Sequence, residues 1–237
     1  MHISTIKIND DMLLKNKVFK LKKGINFILG ANGSGKSKIL YSVLLNLEHD
    51  QLFKMSKLYS RMKTFESCLE IIYDEKHITF SKQDTVYDQK NDIHALNKQV
   101  ALFNMDRSCF DRLINQYSEY NKEKYIEMMN LWLNAFEKYH DEISLVENQI
   151  SFSHRIYDSE EDYFLLVFLT YLFEMNFISK TKILIIDDFF RFVSKKSLPE
   201  IFMVFTNLND DLQIIATGHI IDKELLDGFT NCTIIEL

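Results

Sequence analysis

Residues 25–45 hold the feature that most constrains this chain. An apolar run, Ile25-Asn26-Phe27-Ile28-Leu29, is followed by Gly30-Ala31-Asn32-Gly33-Ser34-Gly35-Lys36-Ser37. Then come Ile39-Leu40-Tyr41 and Val43-Leu44-Leu45 at helical spacing. The middle segment is a complete G-x-x-x-x-G-K-S pattern, and a strand before it with a helix after it is the context that pattern requires. Its glycines let the backbone curl until several N–H groups face one anion, and the helix starting near Gly35 adds the positive end of its dipole. Gly30, Asn32, Gly33, Ser34 and Gly35 are therefore read as a phosphate cradle. Lys36 would reach the β- and γ-phosphates, and the Ser37 hydroxyl would sit on Mg²⁺. The expected ligand is a nucleoside triphosphate.

The rest of the chain supplies a sheet for this loop. Ile3–Ile8 and Lys17–Leu21 read as strands, the second alternating with period two, and Lys23-Gly24 turns into Ile25–Leu29. The helix after the loop is expected to run to about Leu47. Leu69–Tyr73 and His77–Phe80 form an expected hairpin across Asp74-Glu75-Lys76, and Gln99–Phe103 a further strand. From Cys109 to about His140 the pattern is helical. Tyr125, Met128, Met129, Trp132, Leu133, Phe136 and Tyr139 make one wide apolar stripe, read as a buried face in preference to a docking face. Ile143–Val146 and Ile150–Phe152 suggest a second hairpin, and Phe164–Phe173 an apolar helix. Strand Ile183–Ile186, helix Pro199 to about Leu208, strand Leu212–Ala216, a helix near Leu225 and strand Cys232–Leu237 then alternate. Ser197 is the expected cap ahead of Pro199. Strands separated by helices over so short a span indicate a parallel sheet.

Two strand ends carry chemistry. Ile183-Leu184-Ile185-Ile186 closes in Asp187-Asp188, and in a parallel sheet ligands bind beyond the carboxyl ends of the strands. Asp187 is expected to hold Mg²⁺, as the acid ending this strand does in P-loop enzymes, and Asp188 to orient or deprotonate the attacking water. Leu212–Ala216 leads into Thr217-Gly218-His219, which would set His219 near the γ-phosphate.

Composition limits the alternatives. With 46% hydrophobic and 26% charged residues, the 237-residue chain reads as globular and long enough for a full core. A net charge of −6 does not support strong DNA binding by this chain alone, and Lys54, Lys57, Arg61 and Lys63 form one modest basic cluster. Cys68, Cys109 and Cys232 show neither disulfide nor zinc spacing. There is no signal pattern, and no apolar run approaches about 18–20 residues, so the expectation is a cytoplasmic protein without a membrane span.

The order of these motifs resembles the ATP-binding-cassette (ABC) class of P-loop ATPases, in its SMC/RecF/OLD-like branch. The resemblance rests on the opening strands through Gly30, on Asn32–Ser37, on the strand ending Asp187-Asp188 (Walker B) and on His219 (the switch histidine). Val100–Ser108 faintly resembles a strand-to-Arg-Ser element of OLD-like ATPases. The family implies an α/β fold with a parallel core sheet, an N-terminal antiparallel β-subdomain and a helical lobe. It implies one ABC-type domain over 1–237: a phosphate-loop half (1–105), a helical lobe with hairpin (106–158) and a Walker B and switch-histidine half (159–237). It also implies ATP and Mg²⁺ as ligands, a slow ATPase activity, and association as a homodimer or with an effector protein. DNA repair, chromosome maintenance or phage defence are the implied settings. A transporter's nucleotide-binding subunit and a hydrolysis-deficient ATP-binding module are the alternatives.

The departures are specific. The family's S-G-G-E or S-x-G-E signature is matched only by Ser159-Glu160-Glu161-Asp162, with Glu161 where glycine belongs. In the family this serine reaches the γ-phosphate held by a second subunit. A glutamate about 4 Å from that phosphate would oppose it by roughly 4 kcal/mol at an effective dielectric of 20. Asp188 stands where the family has glutamate, and Ser194 where it has the D-loop aspartate. Gln83 and Gln99 are both candidates for the Q-loop glutamine.

Overall fold

Alternation of apolar and polar residues builds the first strands. The computed structural model describes residues 2–9, 14, 16–46, 69–80, 90–103, 105, 110–111, 114, 122–136, 143–146, 149–153, 159–208, 211–226, 229–230 and 232–237. The basic cluster at 54–63, Cys68, Gln83, Asn104, Asp106–Cys109 and Tyr139 lie outside them. The chain divides into two units. The first comprises Met1–Leu102, Lys180–Phe189 and Asp210–Leu237; the second comprises Phe103–Ser179 and Phe190–Asn209.

In the first unit, β1 (Ile3–Ile8) pairs antiparallel with β2 (Lys17–Lys20) and with β4 (Leu69–Tyr73), which forms a hairpin with β5 (Lys76–Phe80). The hairpin turns on Asp74 and Glu75, both with positive φ (44° and 68°), as a two-residue turn matched to strand twist requires. β3 (Gly24–Gly30) belongs to a second sheet with β6 (Val100–Leu102), β9 (Ile183–Ile186), β10 (Gln213–His219) and β11 (Cys232–Glu236). Its order is β11-β3-β10-β9-β6 and every pairing is parallel. Buried strands of this kind read as continuous apolar runs, which is why β3 and β9 were visible in the sequence.

One apolar cluster joins these layers: Ile6 and Ile71 from the antiparallel sheet, Ile39 and Val43 from helix α1 (Lys36–Asn46), and Ile28, Ile185 and Ile215 from the parallel sheet. Two fully buried amides serve the seam. The Gln213 side chain accepts from the Ile3 N–H and donates to the Ile3 and Lys22 carbonyls, at 2.8–2.9 Å. The Asn26 amide donates to the carbonyls of Lys22, Gly24 and Ile214 and accepts from the Lys22 N–H. Asn26 interrupts an apolar strand because loop backbone beside it needs partners. Helix α2 (Lys90–Asn97) follows β5, with Leu96 buried.

The second unit is helical. Helix α3 (Lys122–Leu133) buries Tyr125, Met129, Trp132 and Leu133 of the expected stripe, leaves Met128 half-buried, and ends before Phe136, well short of His140. Its Asn130 side chain bonds both the N–H and the carbonyl of Ile143, at the start of the hairpin β7 (Ile143–Val146) and β8 (Gln149–Phe152). Helix α4 (Glu160–Phe173) is buried from Phe164 to its end and continues as a π-turn, Glu174–Ile178. Tyr125 meets Thr170 by a 2.9 Å hydroxyl bond and Phe173 edge to face. Helix α5 (Leu198–Thr206) carries Pro199 in its first turn as expected. Ser197 precedes it, but its hydroxyl makes no bond to the helix and serves Glu161 instead, which corrects the expected cap. In the first unit a short helix α6 (Lys223–Leu226) follows β10. Among the described residues no helix is long and apolar enough to cross a membrane.

Candidate functional site

Register brings the site together. In the parallel sheet His219 of β10 lies opposite Gly30, the last residue of β3 and the first of the glycine-rich loop, while Ala216 lies opposite Ile186 of β9. β10 therefore runs three residues beyond the expected end at Ala216, and Thr217, Gly218 and His219 are strand. The loop, Asp187-Asp188 and Thr217–His219 end up at the same carboxyl edge of the sheet. Between them opens a cleft of about 410 Å³. Asn32, Gly33, Gly35, Lys36, Ser37 and Lys38 line it from the loop and α1, and Asp187, Asp188, Thr217 and His219 line it from β9 and β10.

The loop geometry depends on absent side chains. A Cβ on Gly30 would sit 2.4 Å from the Ser34 hydroxyl and 3.0 Å from Leu237 Cβ, so a side chain there would force the Ser34 hydroxyl to turn away. Gly35 has φ +99°, a backbone that side chains rarely adopt, immediately before the first residue of α1. Ser34 Oγ is buried and has no hydrogen-bond partner among the described residues. A buried hydroxyl left so is costly unless a ligand's oxygen serves it, and a phosphate supplies one. Lys36 Nζ donates to the Gly30 and Ala31 carbonyls, each at 2.8 Å, leaving one of its three donors for a ligand.

Asp187 is the centre of a hydroxyl network. Its Oδ1 accepts from Ser37 Oγ at 2.9 Å and from Thr217 Oγ1 at 2.6 Å, and its Oδ2 accepts from Tyr41 OH at 3.0 Å. Thr217 in turn accepts the Asp188 N–H at 2.9 Å. Burial and the adjacent Asp187 charge push the Tyr41 phenol far above its ordinary value, so it remains a donor at neutral pH. Asp188 has φ +56°, a left-handed backbone that aspartate tolerates better than most residues. Its N–H bond to Thr217 holds that turn, which lets Asp188 line the cleft. His219 stands at the end of β10, and its N–H donates to Asp222 Oδ2 at 2.6 Å. Its side chain accepts the Asp222 N–H and so caps the short 3₁₀ turn Ile220–Asp222.

A hydroxyl and a carboxylate oxygen 2.9 Å apart are hard donors of the kind Mg²⁺ takes. Among the described residues no group of three or more His, Cys, Asp or Glu side chains could hold a metal by itself.

Ser159 belongs to the second unit and does not line this cleft. Its hydroxyl accepts the Asp162 N–H at 3.1 Å and caps α4. Glu160 is exposed and lies 3.8 Å from Arg191. Glu161 turns inward: its carboxylate accepts the Ser194 N–H at 3.0 Å and the Ser197 O–H at 2.6 Å. Partial burial disfavours the charge, but these two donors more than offset it, so Glu161 titrates below the ordinary glutamate range. Gln99 is likewise outside the cleft lining, and its carbonyl accepts the Lys182 and Ile183 N–H groups. Tyr41, Lys38 and Thr217 were missed as site residues. Tyr41 had a readable signal, one helical turn after Ser37.

Over 106 residues, 42% of its length, the chain is 34% identical to the DNA replication and repair protein RecF of Francisella tularensis subsp. novicida (strain U112). The match to RecF of subsp. tularensis (strain SCHU S4 / Schu 4) is equal. The chain spans 29% of those relatives' length. Its fold matches the SMC head domain from Thermotoga maritima over 96% of this chain and 93% of that one, with a TM-score of 0.56 at 13% identity. The chain has the fold of an SMC head domain, and part of it is similar to part of RecF. An SMC head bound to the C-winged helix domain of ScpA matches over 92% of this chain and 90% of its own, with a TM-score of 0.56 at 17% identity. No protein-family model matches the sequence.

Proposed function

We propose that the chain binds ATP with Mg²⁺ in this cleft and hydrolyses it slowly, and that its nucleotide state controls association with a second copy or an effector protein. The observation that carries this reading is the 2.9 Å bond between Ser37 and Asp187, residues 150 apart in sequence. The glycine-rich loop and its N–H groups take the phosphates through Gly30, Asn32, Gly33, Ser34 and Gly35, and Lys36 takes the β/γ side. Ser37 and Asp187 hold Mg²⁺, which when bound neutralises charge on the β- and γ-phosphates. Asp188 orients the water and His219 stands on the γ-phosphate side. Ser159 is assigned to the nucleotide of a second copy. DNA repair, chromosome maintenance or phage defence are the settings, supported by the partial likeness to RecF, and the cytoplasm is the compartment. DNA is a candidate partner that the net charge of −6 does not favour.

The test is ATP binding and turnover by the whole chain, with light scattering in the presence and absence of nucleotide. Lys36→Ala should abolish binding. Asp188→Asn should keep binding and lower turnover by about 10²-fold or more, the scale of losing a positioned base. A chain that stays monomeric with ATP bound would remove the association step. DNA binding that ignores salt would remove phosphate contacts.

A second reading, an ATP-holding module with little or no hydrolysis, is favoured by Glu161. That residue replaces a glycine and binds Ser194 and Ser197 within its own unit. Turnover indistinguishable from that of Asp188→Asn would select it.

A further inference from the structure

We propose that Tyr41 and Thr217 are positioning residues that hold Asp187 in its metal-ready orientation. The inference rests on the proposed Mg²⁺–ATP reading and extends it to residues outside the phosphate-loop and Walker B patterns. A carboxylate has about four lone-pair positions, and hydroxyls from three elements or turns of the fold occupy three of them. Ser37 comes from the start of α1, Tyr41 from its next turn and Thr217 from β10. Their roles differ. Ser37 and Asp187 both line the cleft, and so does Thr217, but Tyr41 does not. Tyr41 is nearly buried and grips Oδ2, the oxygen that Ser37 leaves alone.

The direction of the Thr217 bond follows from its neighbours. Its oxygen already accepts the Asp188 N–H, so its own proton is the one given to Asp187 Oδ1. One hydroxyl therefore fixes the Asp187 carboxylate and the left-handed turn at Asp188 together. A Ser37 hydroxyl that gave a lone pair to a metal could keep its O–H bond to Oδ1. Together with that bond, Tyr41 and Thr217 keep the carboxylate from rotating. Without them, ordering that side chain would be charged against metal binding.

The experiment titrates Mg²⁺ against the affinity of the whole chain for a fluorescent ATP analogue, with a parallel series in EDTA. Mn²⁺ bound to the nucleotide-loaded protein, followed by electron paramagnetic resonance, is the second readout. Tyr41→Phe and Thr217→Val should each raise the Mg²⁺ midpoint about three- to tenfold, the effect of losing one charge-assisted hydrogen bond in a partly wet site. Affinity in EDTA should stay within about twofold, because the phosphate loop is untouched. Thr217→Ser, which keeps the hydroxyl, should restore the midpoint. Unchanged midpoints in Tyr41→Phe overturn the proposal and leave the nucleotide reading standing. So does an equal loss of affinity with and without Mg²⁺, which is what a merely structural role predicts. If the wild-type chain binds no nucleotide, the nucleotide reading fails first and this proposal falls with it.

Discussion

A side chain at Gly30 would displace the Ser34 hydroxyl, and that close approach links the fold to the site. Its missing Cβ would strike Ser34 Oγ at 2.4 Å, inside the loop that cradles the proposed phosphates. Gly30→Ala should cost about 1–3 kcal/mol by overpacking, read by urea denaturation, and should weaken nucleotide binding in the same protein. Asn26 makes the complementary case for a buried polar group. Four backbone groups depend on its amide, and none of its side chain is exposed. Asn26→Leu should cost about 2–4 kcal/mol, because several of those groups lose their partner without gaining water. A change under about 1 kcal/mol in the denaturation midpoint analysis would contradict this account. The glycine was legible in the sequence as part of a motif. The asparagine was not, because its partners include Ile214, which is 188 residues away.

At the scale of elements, the informative case is the start of α4. Ser159 caps it, and Glu161 reaches across to the turn that precedes α5. Glu161 is held below its ordinary pKa, so its ionised form is favoured in the folded state. The stabilisation is complete above the unfolded-state value of about 4.3 and is lost as pH falls through the lower folded-state value. Thermal melts between about pH 3 and pH 7 should therefore show a steeper acid loss for wild type than for Glu161→Gln. At neutral pH, Glu161→Ala should cost about 1–2 kcal/mol, the lower part of the range for bonds to a charged group, since the site is partly solvated. Element identity here was readable from periodicity. The role of Ser197 was not: serine before proline is a local cap pattern, but a carboxylate 36 positions away made the better partner.

For the whole molecule, ligand binding and folding are linked. If Mg²⁺–ATP occupies the cleft at about 100 times its Kd, the folded state gains about 2.7 kcal/mol, a rise in Tm of about 5–10 °C for a chain of this size. Lys36→Ala should erase that rise, and a scan of both proteins with and without Mg²⁺–ATP checks it. The parallel sheet, the antiparallel strands beside it and the buried α3 and α4 were all written in the chain as local periodicities, since strand and helix set side-chain spacing residue by residue. The phosphate loop, too, is a contiguous motif whose backbone does the work, so the sequence alone determined that this protein has a P-loop in an α/β sheet. What only the tertiary structure decided is the company Asp187 keeps. Tyr41 and Ser37 lie about 150 positions before it and Thr217 lies 30 after it. Parallel strand order sets such distant residues side by side, and no local pattern records which strand becomes the neighbour of which.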